Sequence, residues 1–177
     1  EFAETYEKQV ARGFRPIDMA MFTEKQTARL VVLWSKQLQP EFHVRIGLAV
    51  DEFQEKTNEL RGMGFRLVRV AADRKGTGFS FSGIWEKREE PVHVRVGFAT
   101  AKFEGDSRQL ISEGSCPLDL TVTSVNGMGY YSCVWDVAGE PKRELERGLT
   151  QTQVTRSIAK RAKEGFRIRQ VCGYAVG

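Results

Sequence analysis

Gly64-Phe65-Arg66-Leu67-Val68-Arg69-Val70-Ala71-Ala72, a turn at Arg74-Lys75-Gly76-Thr77-Gly78, and Phe79-Ser80-Phe81-Ser82-Gly83-Ile84-Trp85-Glu86-Lys87 decide the fold, because this stretch returns elsewhere in the chain. Gly13-Phe14-Arg15 lies before it and Gly165-Phe166-Arg167 lies after it. Trp34, Trp85 and Trp135 each stand 21 residues after a glycine, namely Gly13, Gly64 and Gly114. Phe2, Phe53, Phe103 and Val154 stand 11 residues before the glycines at 13, 64, 114 and 165. His43-Val44-Arg45-Ile46-Gly47-Leu48 comes back as His93-Val94-Arg95-Val96-Gly97-Phe98. Ungapped self-similarity at a fixed period of about fifty residues marks tandem structural units.

Within each unit the hydrophobic period changes in the same order. Residues 2–12 and 53–63 place apolar side chains on one helical face, and a glycine follows each, where a left-handed C′ residue ends a helix at low steric cost. Residues 14–22, 65–72 and 117–125 alternate as strands, and so do 28–36, 79–87 and 130–137. Polar turns join each pair: 23–27, the glycine-bearing 74–78, and Asn126-Gly127, whose two residues tolerate the positive φ of a type I′ hairpin. Pro40 and Gly139-Glu140-Pro141 break the chain after a hairpin, and 42–48 and 92–98 are short extended connectors to the next helix. Residues 143–149 replace the histidine segment. Thr150-Gln151-Thr152-Gln153 fits a capping box for a helix over 152–164, and 166–176 reads as a last strand.

The predicted fold is α+β: tandem helix–hairpin repeats forming one curved, mainly antiparallel sheet, half-barrel or barrel-like, flanked by helices. One repeat domain spans 1–177, with units at 1–48, 49–98, 99–149 and a partial fourth at 150–177. Single units of this size bury too little surface alone, so neighbours must share a core. The first residues already read as helix and the fourth unit stops before its second strand, which suggests a piece of a longer protein.

Apolar content of 41% with 28% charged residues is that of an ordinary globular domain. No run approaches the roughly 20 apolar residues of a spanning helix, and no secretory leader pattern opens the chain. The compartment stays open between cytoplasmic and secreted. Net charge is +4, with one dense basic cluster at Arg156, Lys160, Arg161, Lys163, Arg167 and Arg169. It reads as a solvated helix face in preference to a nucleic-acid surface. Cys116, Cys133 and Cys172 form no Cys-x-x-Cys pair and, being odd in number, no disulfide framework.

The succession of helix, Gly-Phe-Arg, a hairpin ending in Ile-Trp-Glu-Lys, and Val-Arg-x-Gly-Leu/Phe resembles a bacterial tandem-repeat family. It is also similar to the N-terminal repeat region of fungal polyglycine hydrolases, where such units are joined to a β-lactamase-like catalytic domain. The resemblance covers nearly all of the chain. It departs at Ser115-Cys116, where Phe-Arg is expected, and at Glu144, which stands in place of histidine. What it implies is a noncatalytic accessory or recognition module of a larger bacterial multidomain protein.

The chemistry-bearing residues fit that expectation. No Gly-x-Ser-x-Gly elbow or His-Glu-x-x-His motif is present. Arg74–Gly78 joins two strands and lacks the following helix that a phosphate-cradling loop needs. His43 and His93 sit at equivalent positions along an array, where repeat geometry spaces them too widely to share a metal. The candidate binding residues are therefore His43, Arg45, His93 and Arg95 on the connectors, with Trp34, Trp85 and Trp135 as either a core ladder or an aromatic row. The expected ligand is a peptide, glycan or protein, with no cofactor or metal, and a final unpaired strand could pair edge to edge with another chain. The alternatives are a small hydrolase-like enzyme using His43 and His93 with Glu144 or a cysteine, and a weakly basic nucleic-acid module.

Overall fold

The computed structural model describes residues 2–24, 27–36, 40–137 and 143–174. In chain order the elements are α1 (Phe2–Ala11), β1 (Arg15–Glu24), β2 (Thr27–Ser35), β3 (Phe42–Leu48), α2 (Val50–Gly62), β4 (Phe65–Lys75) and β5 (Gly78–Lys87). They continue with β6 (Val92–Ala99), α3 (Thr100–Ser112), β7 (Cys116–Val125), β8 (Met128–Asp136) and α4 (Gln151–Lys163).

The local signals act as the sequence predicts. Gly13, Gly64, Gly114 and Gly165 follow their helices with φ of 78°, 86°, 87° and 86°. Asn126 and Gly127 both have positive φ, 51° and 75°, and turn β7 into β8. At the head of α4 the Thr150 hydroxyl accepts the Gln153 amide at 3.3 Å, and the Gln153 side chain accepts the Thr150 amide at 2.7 Å. The Gly139-Glu140-Pro141 break and part of the 23–27 turn lie outside the described residues.

The connectors have a role beyond linkage. β3 pairs antiparallel with β5, and β6 with β8, so each connector joins the hairpin of the unit that follows it. The two registers match position for position. His43 faces Trp85 and His93 faces Trp135, Arg45 faces Gly83 and Arg95 faces Cys133, and Leu48 and Phe98 face Phe81 and Tyr131. Both connectors bulge at a positive-φ glycine, Gly47 (74°) and Gly97 (68°). Each bulge amide donates to a serine hydroxyl on the neighbouring strand, Gly47 to Ser82 at 3.1 Å and Gly97 to Ser132 at 3.0 Å.

The expected single curved sheet is not formed. The strands make three small antiparallel sheets among the described residues, β1-β2, β3-β5-β4 and β6-β8-β7, and none is closed or strongly curled. The reason lies at the junctions, where side chains replace a backbone ladder. Asp119 on β7 accepts the Val70 amide of β4 at 2.7 Å, and the Thr123 hydroxyl donates to the Ala72 carbonyl at 3.0 Å. Across the first junction the Thr23 hydroxyl donates to Asp73 at 2.6 Å, and Arg69 lies 3.7 Å from Asp18. The first strand of every hairpin carries a bulge just before the junction residue, at Pro16/Asp18, Leu67/Arg69 and Pro117/Asp119. Val68 and Leu118, the residues skipped by two of those bulges, are buried in the core shared by the units.

The predicted strand at 166–176 is also absent over its described part, residues 166–174. There the Gln170 side chain takes over, accepting from the Leu120 amide at 3.1 Å and donating to its carbonyl at 2.9 Å. Residues 143–149 likewise form no strand. The described residues contain no second hairpin strand after α4 for them to join.

Two cores result. The larger gathers Phe53, Leu60, Leu67, Phe81, Ile84 and Trp85 with Leu118 and Val134 from the next unit; the smaller holds Phe103, Leu110, Tyr131, Cys133 and Trp135. In the second, the Phe103 and Tyr131 rings stack at 4.5 Å.

Candidate functional site

Trp85 and Trp135 are fully buried, while Trp34 is only half-buried and meets Tyr6 at 6.1 Å. Trp85 packs on Phe53 at 5.4 Å and lies across Gly83, where a Cβ would come within 2.6 Å of its ring. The three tryptophans therefore make no continuous open row. Cys116 and Cys133 are buried, and burial pushes the Cys133 thiol well above its ordinary range. Cys172, expected inside a strand, is exposed.

His43 and His93 stand on different sheets, in β3 and β6. Among the described residues no three His, Cys, Asp or Glu side chains gather as a metal set. Glu144 is 2.7 Å from Arg161, which also bonds Glu146 at 2.9 Å and Glu164 at 2.8 Å. The centre of the C-terminal basic cluster is thus engaged by carboxylates. His43 meets the edge of Phe65 at 4.4 Å. The third unit has Ser115 where the second has Phe65, and among the described residues His93 makes no ring contact.

A groove of ≈ 530 Å³ lies between α2 and β6. Its floor is apolar, with Phe53, Phe65 and Leu67 on one side and Val94, Val96 and Phe98 on the other. Arg61, Arg66, His93 and Arg95 line it with polar groups, so two of the predicted binding residues converge here. A second hollow of ≈ 510 Å³ adjoins it through Arg66 and adds Lys87, Arg88 and Glu89. Arg45 lies apart, its guanidinium donating to the Val44 carbonyl at 2.8 Å.

The electrostatics follow from how each junction uses its arginines. Arg15 and Arg66 both stand two residues after a repeat glycine. At the first junction Arg15 is buried, ion-pairs with Glu86 on β5, donates to the Pro40 carbonyl at 2.9 Å and covers the Phe42 ring. The carboxylate equivalent to Glu86 at the second junction is Asp136. It is held instead by Arg88 at 3.2 Å, with Arg143 at 3.9 Å. Arg66 is left donating to the Arg61 and Phe65 carbonyls, at 3.1 and 3.0 Å. Arg61 bonds the neutral Asn58 at 2.9 Å, and Lys87 donates to the Met63 carbonyl and sits 4.9 Å over Phe65. Among the described residues, none of these three cations has a carboxylate within 4.0 Å. Arg95 is paired with Asp106 at 2.7 Å. Of the residues lining the groove, the sequence reading names His93 and Arg95 as candidates and does not name Arg61 or Arg66. No local signal separates Arg66 from Arg15, since both follow Gly-Phe; the difference is that Arg88 and Arg143 hold the carboxylate at the second junction.

A groove with an apolar floor, two arginines without a carboxylate partner and Lys87 in the adjoining hollow suits an extended anionic chain. It holds no general acid–base pair and no nucleophile–base pair. No match was found among curated proteins. A family model described as polyglycine hydrolase-like structural repeat matches residues 1–37, 39–88 and 140–177. The stretch between the last two segments carries β7 and β8, and it reproduces the strand order and register of the matched unit before it. The chain belongs to the family of polyglycine hydrolase-like structural repeats.

Proposed function

We propose that this chain is a noncatalytic recognition module of a larger multidomain protein, and that it holds an acidic peptide segment of a partner in the groove between α2 and β6. The observation that supports this most is Arg66. Its counterpart Arg15 is consumed by the unit junction, whereas Arg66 stands at an open groove beside Arg61 and Lys87 with no carboxylate partner. Uncommitted arginine beside apolar surface recognises carboxylates by charge-assisted, two-pronged hydrogen bonds, while the floor takes up apolar side chains between them. A neutral glycan would use none of these charges.

The test is fluorescence anisotropy of labelled decapeptides on the intact chain. A peptide alternating Glu with Leu should bind, and its Lys-Leu counterpart should not. Arg66→Glu combined with Lys87→Glu should weaken binding at least tenfold, and added salt should weaken the parent progressively. Equal binding of the two peptides, or no effect of the charge reversals, would overturn the reading. Peptide or ester turnover that disappears in His43→Ala or His93→Ala would replace it with the enzymatic one.

A further inference from the structure

We infer that the outer edge of β6 takes up the acidic segment as an added antiparallel strand, so that the groove binds peptide backbone as well as charge. This deepens the function proposed above and rests on it. The first observation is which residues line the groove. Side chains alternate between the two faces of a strand, so a hollow lying on one face touches every second residue. The α2–β6 groove is lined by Val92, His93, Val94, Arg95 and Val96 in unbroken succession. Both faces of β6 reach it, and the strand therefore turns its edge toward it. Among the described residues β6 pairs only with β8, and β3, its equivalent one unit earlier, pairs only with β5. An outer edge without a ladder thus belongs to the connector at both places where the chain contains it.

The phase of the ladder says which groups that edge offers. In an antiparallel pair, residues that exchange backbone bonds alternate with residues whose N–H and C=O point to the opposite side. The Val137 amide donates to the Pro91 carbonyl at 3.3 Å, which puts residues 91, 93 and 95 in the bonded phase. Val92 and Val94, opposite Asp136 and Val134, are in the other phase, with their amides and carbonyls on the groove side. The Val94 carbonyl agrees with this, since it accepts from the Arg95 guanidinium at 3.1 Å. A carbonyl has two lone pairs, so that contact leaves one for a strand amide. The regular stretch ends after Arg95, where the register shifts.

The occupant follows from this edge and from the charges beside it. An added strand lies about 4.8 Å from β6 and alternates its side chains between two faces. A segment alternating apolar with acidic residues gives one row to the apolar floor of Phe53, Phe65 and Leu67 and the other to Arg61 and Arg66. Every strand pair among the described residues is antiparallel, the slightly more stable arrangement per residue.

The probe is the decapeptide alternating Glu with Leu, made in two further forms, one N-methylated at its leucines and one at its glutamates. In an extended strand the amides of alternate residues point to one edge, so each form blocks one edge and leaves the side chains unchanged. On the intact chain, one form should bind roughly tenfold or more weakly than the parent peptide, through lost backbone bonds, and the other should bind nearly as well. The parent peptide should also slow amide exchange at Val92 and Val94 by about tenfold or more. The changes lie in the peptide, so folding of the chain is not at issue. If the parent binds but both methylated forms match it, or both weaken equally, or Val92 and Val94 exchange as before, strand addition is overturned and side-chain docking of an acidic segment stands. If the Glu-Leu peptide binds no better than its Lys-Leu counterpart, both readings are overturned together.

Discussion

At the scale of single residues, the junctions rest on one position, five residues after each repeat glycine. It is occupied by Asp18, Arg69, Asp119 and Gln170. Arg69 meets Asp18, and Gln170 donates to Asp119 at 3.0 Å. Asp119 is the member with the most to lose, since it is buried and accepts the Val70 amide. Burial raises its carboxyl above the ordinary range, against the opposing effects of that amide and of Arg69. A raised value means that the folded chain holds the proton more tightly than the unfolded chain. The resulting stability is complete below about pH 3.9 and is lost as pH climbs through the folded-state value. Asp119→Asn removes the titration while keeping an oxygen for Val70. Urea unfolding of variant and parent over a pH series should show their difference moving in favour of the variant from about pH 4 upward. Asp119→Ala should instead cost about 1–3 kcal/mol, because the Val70 amide loses its acceptor. A pH-independent gap for Asp119→Asn would show that the carboxyl does not titrate differently on folding.

At the scale of elements, helices and hairpins were legible because their signals are local. Glycine after an apolar helical face, strand alternation and Asn126-Gly127 each act within a few residues, and each element formed within a few positions of its expected bounds. Long-range pairing was not legible in the same way. Alternation records which face of a strand is covered, not which strand covers it, so the pairing of β3 and β6 with the following hairpin left no local mark. Asp119 and Arg69 likewise read as ordinary polar positions, although they replace the ladder that one continuous sheet would need. Residues 166–174 alternate as a strand does, yet the Gln170 side chain, not a backbone ladder, makes their hydrogen bonds to Leu120 of β7. At the groove, His93 and Arg95 stand out as candidates in the sequence because they repeat, while Arg66 does not, because its use departs from that of Arg15 only in the folded chain. The connector bulge can be tested at this scale. Ser132→Ala strands the Gly97 amide and Ser82→Ala strands that of Gly47, each at a cost of about 1–3 kcal/mol by urea unfolding. Because the two bulges lie on different sheets, the double variant should show a near-additive loss. A loss much smaller than the sum would mean that the sheets share more than the junction bonds described above.

At the scale of the whole molecule, the array is a series of small sheets joined by side chains, so its stability should follow position along the series. The second unit has neighbours on both sides and the larger core, including Leu118 and Val134 contributed by the third. Among the described residues β2 of the first unit pairs only with β1, and α1 contains no buried residue. α4 also contains none and is tied by its ion pairs to residues 143–149. In quasi-one-dimensional arrays, interface terms between neighbours set local stability, and the ends open more easily than the middle. Native-state amide exchange should therefore rank β4, β5 and α2 slowest, with β1, β2, α1 and α4 exchanging through lower-energy openings. An acidic peptide in the groove should raise the protection of α2 and β6 and leave that of β1 and β2 unchanged. If every slow amide instead exchanged with one common free energy, the junction bonds would be strong enough to couple all units. Asp119→Ala should then lower protection in every sheet equally. If the sheets act as separable units, its effect should concentrate in the two that meet at Val70 and Asp119, and the ranking along the chain should persist in the variant.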